Sequence, residues 1–165
     1  IFGGNATCRR FNVYQVIEGS MQGLIQRVKQ AKVEVAGEVV GEISQGILLL
    51  LGVEKQDTEQ SALKLLHKVS NYRIFTDEQG KMNLSLNDIK GELLVVSQFT
   101  LAADTKKGMR PSFSSAGTPE QANTLYEYFI AEAKKAGLTV ATGQFGADMQ
   151  VSLCNDGPVT FNLSV

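Results

Sequence analysis

The chain has 165 residues, 43% of them hydrophobic and 20% charged, with a formal net charge of −1. That is one domain's worth of protein, able to bury about two-thirds of its unfolded surface. The balance argues against a broadly basic nucleic-acid binder, and the longest apolar run, Ile47-Leu48-Leu49-Leu50-Leu51, is too short for a membrane-crossing helix.

Residues 1–20 do not begin with Met, lack a sustained apolar stretch behind a basic start, and end in Gly19-Ser20 directly before Met21. They are expected to be an expression-derived leader, with Met21 as the natural start and a domain spanning 21–165. A natural N-terminal extension is the alternative. Without Arg9, Arg10 and Glu18 the balance is one unit more negative, so any RNA contact has to be local. Lys106, Lys107 and Arg110 form one candidate patch, and Arg27, Lys29 and Lys32 another; each taken alone reads as solvated surface.

Strand patterns open the domain. Residues 24–28 and 33–35 alternate, Gly37 marks a turn, and 38–40 follow. Residues 47–53 read as a buried strand. A first helix is expected after Asp57, read as the N-cap with Gln60 three residues later; Ala62, Leu65, Leu66 and Val69 then share one face. Residues 93–99 form a second buried strand. The second helix opens at Thr118, with Pro119 at its first position and Gln121 three after the cap. Ala122, Leu125, Phe129 and Ala133 give its apolar stripe, and Gly137 its stop. Residues 139–142, 151–154 and 159–165 supply further strands, the last two separated by a turn at Asn155-Asp156-Gly157-Pro158. The order suits a single mixed α/β domain, a strand-rich core with two main helices over it.

Familiar hydrolase constellations are mostly absent. His67, the sole histidine, lies among helix residues, so a Ser-His-Asp triad has no convincing base. No Cys/His cluster has metal-ligand spacing, and no G-x-S-x-G elbow or P-loop occurs. Outside residues 1–20, Cys154 is the lone thiol, which leaves no disulfide for the domain. Two segments are unusual. Ser97-Gln98-Phe99-Thr100 runs off the end of a buried strand, where backbone and side chains can be held toward a ligand. A solvent-facing strand end is the plainer reading. Asn155-Asp156-Gly157-Pro158-Val159-Thr160 contains a Gly-Pro step, which can be cis at modest cost. A plain turn is the alternative there.

These two segments match the signature motifs of the D-aminoacyl-tRNA deacylase family of bacterial and eukaryotic type. The resemblance extends over 21–165, through Ile25-Gln26-Arg27-Val28, Asn71-Tyr72-Arg73-Ile74-Phe75, Gly80-Lys81-Met82-Asn83 and Gly108-Met109-Arg110-Pro111-Ser112-Phe113. It implies a cytoplasmic homodimer with a three-layer β/β/α fold, hydrolysing the ester between a D-amino acid and the 3′-terminal adenosine of tRNA. Glycine on alanine tRNA would also be removed, and L-aminoacyl-tRNA rejected. The implied catalytic residues are Ser97, Gln98, Phe99 and Thr100. Gly157, Pro158, Asn155, Val159 and Thr160 would bind substrate, with Gly157-Pro158 cis and reaching into the other protomer's site. Arg27 matches an arginine that helps hold that loop. No cofactor and no metal is expected. The partners implied are aminoacyl-tRNA and a second copy of the chain, without membrane or DNA.

The resemblance leaves the attacking group open: water assisted by the ribose hydroxyl, or Thr100, which lacks an obvious base. An esterase for other small acyl esters and a non-catalytic RNA-binding module are the competing classes. The module would need a broad basic face or exposed stacking aromatics.

Overall fold

A computed structural model describes residues 20–165. The expectation of a leader falls, Ser20 apart, outside the described residues. The elements in order are β1 (Gln22–Val35), β2 (Glu38–Ile43), β3 (Gly46–Gly52), α1 (Glu59–Asn71), β4 (Phe75–Thr76), β5 (Met82–Leu84), α2 (Leu86–Ile89), β6 (Glu92–Ser97), a 3-10 helix (Phe99–Ala102), α3 (Pro119–Lys135), β7 (Thr139–Thr142) and β8 (Gln150–Ser164).

One sheet carries the order β2-β1-β3-β6-β7, with β8 on β1. β1 is antiparallel to β3 through its first half, to β2 through its second, and to β8 along nearly its whole length. β3, β6 and β7 are mutually parallel, so the returns between them need long crossovers, and α1 and α3 lie in those crossovers. Two successive crossovers of the same hand put both helices on one face. At the far side β2 closes on β7: a Cβ on Gly41 would stand 2.2 Å from the Thr142 carbonyl oxygen. The sheet is therefore nearly a closed barrel.

Two separate cores result. Ile25, Ile47, Leu49, Val95, Leu65, Leu125 and Phe129 belong to the core between sheet and helices. Val28, Val33, Leu48, Leu94 and Val96 belong to a second, whose buried residues all come from strands. Neighbouring residues of β3 thus enter opposite cores, which explains its unbroken apolar run. This is the three-layer β/β/α arrangement, a single mixed domain.

The helix stripes fall where the periodicity put them: Ala62, Leu65, Leu66 and Val69 are buried on α1, and Ala122, Leu125, Phe129 and Ala133 on α3. Thr118 caps α3, accepting from the Gln121 N–H, and Gly137 follows with φ of 87°. Four expectations need correction. The N-cap of α1 is Thr58, whose N–H donates to Ser61 Oγ at 3.1 Å; Asp57 turns inward and takes the Glu54 N–H at 2.7 Å. β1 is one strand, not two, because an irregularity between Val28 and Gln30 shifts the alternation without ending the ladder. β6 stops at Ser97, since residues 99–102 tighten into the 3-10 helix. The segment 155–158 is an irregular stretch inside β8, not a turn between strands. The β4–β5 hairpin and α2 carried no pattern long enough to read.

Candidate active site

The first motif is built by the end of β6. Ser97 pairs with Leu51, and Gln98 donates its N–H to the Leu51 carbonyl at 2.8 Å. The chain then turns into the 3-10 helix, closed by Leu101 N–H to Gln98 O at 3.2 Å. The first turn of such a helix leaves the N–H groups of Phe99 and Thr100 without an acceptor inside it. Ser115 Oγ, donating to the Ala102 carbonyl at 2.9 Å, ties this turn to a later loop. Phe99 is 60% exposed and rests on Phe113 with ring centroids 5.1 Å apart. The Gln98 side-chain amide lies 2.5 Å from Thr100 Oγ1. Either orientation of that amide gives the hydroxyl a neutral neighbour, and neither gives it a base.

The second motif is held from beneath. Gln26 pairs with Thr160 and Val28 with Asn155, so residues 156–159 bulge out of β8 opposite Arg27 alone. Arg27 is buried. Its Nε donates to the Asp156 carbonyl at 2.9 Å, one terminal nitrogen donates to the Ile74 carbonyl at 2.7 Å, and the Asp156 carboxylate lies 3.6 Å away. That placement removes Arg27 from any surface patch with Lys29 and Lys32. Asn155 spans the bulge: its Oδ1 accepts the Val159 N–H at 2.7 Å and its Nδ2 donates to Thr160 Oγ1 at 2.8 Å. Val159 anchors the far end in the helix-side core. Gly157 and Pro158 remain exposed at the crest, joined by a cis peptide bond.

One chain does not bring the two motifs together. Gly157 faces Arg27, which pairs with Ile47, whereas Ser97 pairs with Leu51. Three strand spacings of about 4.8 Å and four residues of roughly 3.3 Å put them on the order of 15–20 Å apart. A cleft of about 570 Å³ lies elsewhere, lined by Lys32, Glu42, Ser44, Glu92 and Cys154 among others, and includes no motif residue. Its volume alone does not outweigh the motifs, because a site is defined by groups placed for chemistry rather than by empty space.

His67 sits exposed on α1, and the partner of its Nδ1 is the Asn71 amide at 3.4 Å rather than a carboxylate that would orient it as a triad base. Phe113, Ser115 and the Ile74 carbonyl are the supporting groups that pattern reading missed. They come from loops, and nothing periodic marks them.

The strand-end turn leaves the backbone N–H groups of Phe99 and Thr100 without an acceptor inside its 3-10 helix, an arrangement that a hydrolase can use to receive an oxyanion. The family model described as D-Tyr-tRNA(Tyr) deacylase matches residues 24–164. A protein of Pseudoalteromonas translucida named D-aminoacyl-tRNA deacylase is 81% identical over 145 residues, covering 88% of this chain and 100% of that one. One of Pseudomonas putida with the same name is 62% identical over the same shares. Among solved structures, one titled c-Myc DNA Unwinding Element Binding Protein is 41% identical with a TM-score of 0.82, covering 86% of this chain and 97% of that one. Another, described as a probable eukaryotic D-amino acid tRNA deacylase, has a TM-score of 0.78 at 16% identity, over 88% and 100%, and shows the fold alone. The chain belongs to the D-Tyr-tRNA(Tyr) deacylase family and is a hydrolase.

Proposed function

We propose that this protein is an editing enzyme that hydrolyses the ester joining a D-amino acid to the 3′-terminal adenosine of tRNA, releasing free amino acid and tRNA. It acts as a homodimer in the cytoplasm, with Gly157 and Pro158 of one protomer facing residues 97–100 of the other. It also clears glycine from alanine tRNA. The observation that carries this reading is the pair of motifs, each tied down by hydrogen bonds and each presenting exposed residues, Phe99 and Thr100 in one and Gly157 and Pro158 in the other, yet separated within one chain. A second copy supplies what one copy lacks, and β8, which among the described residues pairs with β1 alone, offers an edge for it.

The chemistry follows from the parts. Main-chain atoms at Gly157 and Pro158 make a wall that rejects an L side chain whatever its identity, while glycine passes for want of a side chain. The ester is already activated beside a ribose hydroxyl, which can direct water. The N–H groups of Phe99 and Thr100 are suited to the developing oxyanion. No helix of the described residues is long and apolar enough to cross a membrane.

Matched D- and L-aminoacyl-tRNA incubated with the purified protein test the reading. Release of the D-amino acid alone is expected. Equal hydrolysis of both, or of neither, would overturn it.

A further inference from the structure

Asp104 and Ser112 exchange both backbone hydrogen bonds, 2.7 and 3.1 Å, and so pinch off residues 105–111 as a projecting loop. Its root adjoins the strand-end motif, through Phe113 on Phe99 and Ser115 on Ala102. Lys106, Lys107 and Arg110 lie on this loop, all exposed, with Met109 fully exposed among them. Among the described residues none of the three makes an ion pair. Asp104, the acid at the root, already spends one carboxylate oxygen on the Lys106 N–H at 2.9 Å. In a chain whose net charge is −1, three cations without an ion pair within five residues make a locally basic patch.

We infer that loop 105–111 grips the phosphate backbone of the tRNA acceptor stem, beside the 3′ end seated at residues 97–100. The inference rests on the deacylase reading above and names a contact that reading leaves out. Flexible lysines and an arginine on an open loop suit phosphates, which position a nucleic acid without reading it. The deep, narrow major groove of A-form RNA is closed to side chains in any case. The grip is therefore indifferent to acceptor sequence.

The test compares wild type with the triple variant Lys106→Ala, Lys107→Ala, Arg110→Ala on two substrates, D-aminoacyl-tRNA and the D-aminoacyl ester of adenosine alone. Three phosphate contacts give wild type a salt slope that costs roughly 40-fold in tRNA affinity between about 50 and about 200 mM salt. The variant should lose most of that slope, about one unit of log–log gradient per contact, with KM for tRNA raised. Turnover of the adenosine ester should not change. A charge-conserving triple variant, Lys106→Arg, Lys107→Arg, Arg110→Lys, should restore the slope. An unchanged slope in the alanine variant overturns the grip and leaves deacylation standing. Equal losses on both substrates also overturn it, because the loop would then be shaping the site. Failure of wild type on both esters removes the deacylase reading, and the grip with it.

Discussion

The Arg27 guanidinium meets the Asp156 carbonyl oxygen at 2.9 Å across a separation of 129 residues. It fills the space beneath the β8 bulge and ties it to the Ile74 carbonyl as well. Lysine keeps the charge but presents no planar fork. Arg27→Lys should therefore cost about 1.5–3 kcal/mol of stability, the range for hydrogen bonds from a charged group. Deacylation of D-aminoacyl-tRNA should fall roughly tenfold or more, with weaker rejection of the L form. Thermal melting and paired D/L assays read both. Normal stability and selectivity would show that the bulge stands without its tie.

Gly157 has φ of +140°, and a Cβ there would stand 2.6 Å from Val159 Cγ2 and 3.2 Å from a terminal nitrogen of Arg27. Gly157→Ala should thus displace the crest at a local cost of about 1–3 kcal/mol. Turnover of D-aminoacyl and glycyl esters should fall together, while the far-ultraviolet dichroism is retained. Selective loss of only one of the two activities would contradict a shared wall.

Within the chain the hydrogen-bond partner of Thr100 Oγ1 is the neutral Gln98 amide, which does not act as a general base. Thr100→Ala should keep kcat/KM within about tenfold of wild type. A loss on the order of 10⁴-fold, with an acyl-enzyme trapped from the native protein, would make Thr100 the nucleophile instead.

Asp57 is 5% exposed, and burial raises its carboxyl above the usual value of 3.8. Folding then favours the protonated form. The stability this group contributes is complete below 3.8 and is lost as pH rises through the elevated folded value. One of its oxygens, Oδ1, has no hydrogen-bond partner among the described residues. Asp57→Asn removes the titration, so the melting temperature of the variant relative to wild type should climb between about pH 4 and about pH 7. A flat or falling difference would mean that the charged form is satisfied in the fold.

Local chemistry was enough for the sequence to determine the two main helices, whose stripes at Ala62–Val69 and Ala122–Ala133 repeat every turn, and the cap at Thr118. It also determined that β3 is buried on both faces, since five consecutive apolar residues leave no polar side to expose. The two motifs were legible as exceptions, a polar strand end and a Gly-Pro step. Tertiary structure alone decided the rest. That Thr58 rather than Asp57 caps α1 depends on which way a buried carboxyl turns toward Glu54. That residues 155–158 stay within β8 depends on β1 running past them on both sides with Arg27 opposite, a pairing between segments more than a hundred residues apart. The Phe99–Phe113 contact and the loop it roots likewise join positions that no periodicity links. Spacing along a chain reports which face a residue shares with its near neighbours, whereas which distant group fills the gap behind it is fixed only when the strands close.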